Sequence, residues 1–101
     1  MHVTPTTFDR ALLEKTAATL KAIAHPVRLS IIDLLRDGRQ LNVTQIYLAL
    51  EVEQAVASQH LSILKERNVL SSRRQGKHSF YFLKHPEFLD VLRFASRTFS
   101  N

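Results

Sequence analysis

Between Gln54 and Lys65 the chain reads QAVASQHLSILK, and at helical spacing Gln54, Ala55, Ser58, Gln59 and Ser62 fall on one side, with Lys65 following them. The amides and hydroxyls in this row are short, uncharged, and able both to donate and to accept hydrogen bonds. That is the chemistry needed to read base edges in the major groove of duplex DNA. A second group lies further on. Arg73, Arg74 and Lys77 are three cations within five positions, with His78 adjacent and Gly76 among them. Such a cluster suits phosphate or minor-groove contact, and governs affinity and salt dependence more than sequence choice.

Other chemistries find no support. The five histidines match no metal-ligand spacing. His25 and His85 each precede a proline at an element boundary, where capping accounts for them. His60 lies on the flank of its helix, as a packing or intra-domain hydrogen-bonding residue. There are no cysteines, which excludes disulfides, thiolate metal sites and cysteine redox sensing. No nucleophile–base pair and no glycine-rich phosphate loop occurs, so neither an enzyme nor a cofactor is expected. The balance of 14 Lys and Arg against 9 Asp and Glu favours a polyanionic partner. No apolar leader or membrane-length apolar run is present, and the expected location is the cytoplasm.

The two groups need a frame. Residues 1–7 read as a loose tail, and a helix from Phe8 carries Phe8, Leu12, Ala17, Leu20 and Ile23 or Ala24 at helical spacing, broadened by Leu13. His25-Pro26 breaks it. VRLSIIDLLR, residues 27–36, is apolar nearly all round and should be the central buried helix, stopped at Asp37-Gly38. Asn42 and Gln45 have the spacing of a capping box for a third helix, with Val43, Ile46, Tyr47 and Leu50 inward. Glu51–Glu53 is a turn without glycine, so its geometry should be mild. The fourth helix runs from Gln54 to about Asn68, with Ala57, Leu61 and Leu64 inward. The period then changes to two, and Val69–Arg74 and Ser79–Leu83 read as strands joined through RQGK. A last helix, about Glu87–Thr98, presents Phe88, Val91, Leu92, Ala95 and Phe99, with Phe94 close by.

The order predicts a mainly α fold with a β-hairpin wing. It is a winged helix-turn-helix of about five helices and two strands, a single domain over residues 8–101. A chain of this size buries only about two-thirds of its unfolded surface, so a subunit interface would help it. The amphipathic terminal helices are the expected homodimer surface, through Phe8, Leu12, Leu20, Phe88, Val91, Leu92 and Phe99.

LKAIAHPVRLSIIDLL, QAVASQHLSILKERNVL and SSRRQGKHSFYFL together resemble the ArsR/SmtB family of bacterial winged-helix repressors, over about residues 18–84. The resemblance implies a homodimer that binds operator DNA and releases it to an inducer. By position, Gln54, Ala55, Ser58 and Gln59 match the family's base-facing residues, and Arg73, Arg74, Lys77 and His78 its wing. Two departures stand out. The segment LNVTQIYL holds Asn42 and Thr44 where metal-sensing relatives carry cysteines. PEFLDVLRFASRTFSN has no histidine, and its Glu87 and Asp90 read more simply as solvated surface than as ligands. No metal site is therefore expected, and the inducer is left open between a small molecule, a partner protein, a modification and none at all. The expected function is a repressor on an inverted-repeat double-stranded operator. The rival reading is a winged-helix protein-interaction module, which would have little need of three cations at its wing tip.

Overall fold

The computed structural model describes residues 2–100; Met1 of the predicted tail and Asn101 of the predicted domain lie outside them. The first helix, α1 (Arg10–Ile23), begins two residues later than predicted, because the Asp9 carboxylate accepts from the Leu12 N–H at 2.8 Å and so caps it. Phe8 therefore precedes the helix. At the next start, His25 Nδ1 accepts from the Val27 N–H at 3.1 Å and Pro26 fills the first position of α2 (Pro26–Leu34). His25 is thus a cap, as expected. His85 is not: it precedes a single 3₁₀ turn, Pro86–Phe88, without a side-chain capping bond.

Asn42 and Gln45 form the predicted capping box at α3 (Val43–Leu50), each side chain accepting from the other's N–H at 2.9 Å. The turn after α3 departs from expectation. Glu51 adopts a left-handed conformation, φ 55° and ψ 44°, and the Val52 N–H reaches back to the Tyr47 carbonyl at 3.2 Å. The next helix, α4 (Gln54–Glu66), closes in the same way. Asn68 is left-handed, and the Val69 N–H bonds the Leu64 carbonyl at 2.9 Å. Both helices of the pair thus end in Schellman-type stops without glycine. Asn tolerates that conformation; Glu pays roughly 1–2 kcal/mol for it. Glu51→Gly is therefore expected to stabilise the fold by up to ~1 kcal/mol after glycine's own entropic cost. A higher urea midpoint checks this, and a lower one contradicts it.

The wing is β2 (Leu70–Gln75) and β3 (His78–Leu83), joined by Gly76 and Lys77 alone. Gly76 takes φ 62° at the first turn position, where a two-residue hairpin favours glycine. A third strand corrects the two-strand prediction: β1 (Leu41–Asn42) pairs antiparallel with β3, Leu41 opposite Tyr81 and Asn42 opposite Phe80, in the order β1-β3-β2. Asn42 thus both joins the sheet and caps α3, which fixes the wing to the helix pair. The last helix, α5 (Leu89–Phe99), follows the 3₁₀ turn.

Ile31, Ile32, Leu35, Ile46, Leu61, Leu64, Val69 and Leu70 are fully or almost fully buried, with Leu89 of α5 and Ile23 of α1 closing the core. Leu89 was outside the predicted stripe. Most of α1 stands away from this core; only Ala22 and Ile23 are buried, and Leu12 and Leu20 are each almost half exposed. Leu12, Leu20 and Ile23 face Phe88 and Val91 across an open, mostly apolar trough of about 600 Å³. Leu92 lies elsewhere, on a groove with Asp33 of α2 and Arg36 just beyond that helix, and Phe99 is 76% exposed at the end of α5.

Candidate nucleic-acid interface

The outer face of α4 follows from its inner one. Ala57, Leu61 and Leu64 are completely buried, and a helix that seats those positions must turn Gln54, Ala55, Ser58, Gln59 and Ser62 outward, where all five are exposed. Lys65 is exposed in the last turn. From Gln54 through Lys65 there is no carboxylate. The row is polar, and none of its side chains makes a hydrogen bond within the described residues.

The wing residues separate. Cross-strand partners share a face, so the register puts Leu70, Ser72 and Arg74 with Ser79, Tyr81 and Leu83, and Ser71, Arg73 and Gln75 with His78, Phe80 and Phe82. Leu70, Tyr81 and Leu83 pack on the core, so the first face is the helix side and Arg74 shares it. Arg73 points the other way. Its guanidinium lies over the Phe80 ring, 5.1 Å from the centroid, and donates to Gln75 Oε1 at 2.8 Å and to Gln40 Oε1. The two adjacent arginines, equivalent in the sequence, are an exposed cation on the helix side of the sheet and a clamped one on its other side.

Across the gap, Ser58 of α4 shares a concave surface of about 250 Å³ with Lys77, His78, Ser79 and Tyr81, floored by Asn42 and Val43. The fold therefore brings one predicted base-reading residue and two predicted wing residues to a single groove. Gln54, Ala55, Gln59 and Ser62 continue along α4 outside it. Gln40, Asn42, Ser79 and Tyr81 were not singled out as site residues. Their roles depend on β1 and on the β2–β3 register, and no local pattern announces either.

His60 takes the intra-domain role expected of it. Its Nδ1 accepts from Arg28 Nε at 3.1 Å, and its ring lies 4.5 Å from that of His25.

A three-helix core with α4 exposed along one polar face, followed by a hairpin wing, defines a winged helix-turn-helix protein. Residues 25–72 match the family described as "Bacterial regulatory protein, arsR family". The transcriptional repressor PagR of Bacillus anthracis is 38% identical over 81 residues, covering 80% of this chain and 81% of that protein. Its crystal structure superposes with a TM-score of 0.75 at 36% identity, over 85% of this chain and 98% of that one. HlyU of Vibrio cholerae, named a transcriptional activator, gives a TM-score of 0.80 at 28% identity, over 92% and 100% of the two chains. A Mycobacterium bovis domain described as a homodimeric winged helix-turn-helix DNA-binding domain gives 0.76 at 27% identity, over 96% and 89%. The chain belongs to the arsR family, whose members are DNA-binding transcriptional regulators and not enzymes.

Proposed function

We propose that this regulator is a repressor that binds an inverted-repeat operator as a homodimer, with α4 in the major groove and the β2–β3 hairpin over the flanking backbone. The observation that carries the reading is the groove joining Ser58 to Lys77 and His78, because it aims a neutral hydrogen-bonding row and a cationic tip at the same side of the molecule. Gln54, Ala55, Ser58, Gln59 and Ser62 meet bases; Lys65, Arg74, Lys77 and His78 meet phosphates; Arg73 supports the wing from behind. Repression rather than activation follows the higher identity to PagR, 38% against 31% for HlyU.

The dimer is proposed through the trough between α1 and α5. Leu12, Leu20, Phe88 and Val91 line it, and Phe8 just before α1 and Phe99 at the end of α5 are exposed aromatic rings. A second copy seated on this trough would take these apolar side chains out of water. A two-fold pair would set the two α4 helices about one helical turn of DNA apart. Among the described residues no helix is long and apolar enough to cross a membrane, and we assign the protein to the cytoplasm.

The test is a gel-shift titration against fragmented genomic DNA at two salt concentrations, with the bound fraction sequenced. Enrichment of an inverted repeat supports the reading, whereas a protein-docking module would enrich nothing. Within that operator, Gln59→Ala is expected to relax preference at one position of each half-site, by ~1–3 kcal/mol of discrimination. Unchanged preference across a set of single-base operator variants would remove Gln59 from the reading face.

A further inference from the structure

We propose that Arg28, with His25 and His60, positions the recognition helix, and that this node closes only while both imidazoles are neutral, so that DNA binding is released by acid. The inference rests on the DNA-reading role proposed for α4. Three elements meet at the node. Arg28 of α2 donates through Nη1 to the Ala22 carbonyl at the end of α1, at 2.8 Å, and through Nε to His60 Nδ1 of α4, at 3.1 Å. His25, the cap of α2, lies against the His60 ring with centroids 4.5 Å apart and planes tilted by 50°. Arg28 thus ties the helix that reads DNA to the helix that leads out toward the partner subunit.

The donors decide the protonation state. Arg28 has no acceptor to offer, so His60 can take its hydrogen bond only through an unprotonated Nδ1. His25 is constrained likewise, because its Nδ1 accepts from the Val27 N–H at 3.1 Å. Protonating His60 would remove the bond and set imidazolium against guanidinium. No carboxylate is among the groups that act on His60; those are His25 and Arg28. Of the elements packed on α4, α2 also carries Asp33, which pairs with Arg36 beyond the end of that helix, α3 carries only Tyr47 as an ionisable group, β2 carries Arg73 and Arg74, and the buried end of α1 adds only Lys21; α4 itself carries Lys65 and Glu66, more than a turn beyond His60. Burial, then His25 and Arg28, hold the His60 pKa below the usual imidazole value. The sign follows: a histidine depressed in the folded state contributes stability that is present above the unfolded value of about 6.5 and is lost as pH falls through the folded one.

Operator affinity is therefore expected to fall on acidification from pH 7.5 to 5.5 at constant ionic strength, by about tenfold or more for each protomer's node, the range of a lost hydrogen bond to a charged group. His60→Gln keeps an acceptor for Arg28 but cannot titrate, so it should bind DNA normally at pH 7.5 and lose the acid-driven fall. Arg28→Lys cannot span Ala22 and His60 together, and should weaken binding already at pH 7.5 while circular dichroism stays that of the folded chain. A His78→Gln background, compared with wild type at both pH values, removes the wing imidazole from the readout and leaves the node. Imidazole ¹⁵N shifts of the free protein give a readout independent of DNA and of the His60→Gln fold. His60 should show Nε2–H with Nδ1 bare, and titrate below 6.5. A protonated Nδ1 at neutral pH, or an identical acid profile in wild type and folded His60→Gln, overturns the proposal. Absence of DNA binding at every pH would instead overturn the role of α4, leaving the shifts to judge the node.

Discussion

Leu61→Ala is expected to cost ~2–5 kcal/mol of stability, the range for a fully enclosed leucine cut back to its Cβ. Leu61 is completely buried on the inner side of α4, in a core with Ile31, Ile32, Ile46, Leu64, Val69 and Leu70. Helices α2 and α3 and strand β2 all pack against α4, so there is no single soft side from which the void could be filled. A domain of this size has only about 5–15 kcal/mol in total. The substitution should therefore lower the urea midpoint by a large fraction of its value while leaving the slope of the transition unchanged. The outer row of α4 is untouched, so operator preference in the folded fraction should stay the same. A loss below ~1 kcal/mol would mean that the α2–α4 packing collapses onto the space, and would weaken the case that α4 is held rigidly for readout.

The second large effect concerns charge. Arg74→Ala with Lys77→Ala removes two exposed wing cations proposed to meet phosphates, and on the proposed dimer this would delete four such contacts. Each such contact contributes ~0.9 to the slope of log K against log salt, so the slope should fall by roughly 3–4. Affinity should drop for operator and random DNA together, leaving the ratio between them little changed. Titration of both DNAs at several salt concentrations checks this, and a selective loss of operator binding would move these residues from backbone contact to base readout. Arg73→Ala is expected to behave differently. Its guanidinium already bonds Gln40 and Gln75 and stacks on Phe80. Losing it should loosen the hairpin more than it alters the salt slope.

The contrast between Arg73 and Arg74 marks where a sequence stops being informative. Both are strand cations one position apart, and the hairpin's alternation was visible in SSRRQGKHSFYFL. Which of the two faces α4 depends on the phase of that alternation. The phase is set by Leu70, Tyr81 and Leu83 settling on the core, a choice among partners distant in the chain. β1 escaped notice for a related reason. Two residues carry no period, and Leu41–Asn42 become a strand only because Tyr81 and Phe80, some forty positions away, offer an edge. The left-handed Glu51 was hidden too, because the strain it bears is repaid by the packing of α3 on α4 and leaves no glycine to read.

The elements themselves were legible because short-range forces make them. The Asn42–Gln45 capping box spans three residues, the His25-Pro26 break is steric, and the inward row Ala57, Leu61, Leu64 exists because burial rewards one face of a helix. Those same local rules implied the exposed row from Gln54 to Ser62, the wing and the membership they suggest. Tertiary structure decided the rest: the groove that joins Ser58 to Lys77, the Arg73–Gln40 clamp and the Arg28–His60 tie, the last two between residues 33 and 32 positions apart. Hydrogen bonds at that separation form only after the core has drawn the helices together, so their chemistry depends on the packed molecule and not on any stretch of the chain.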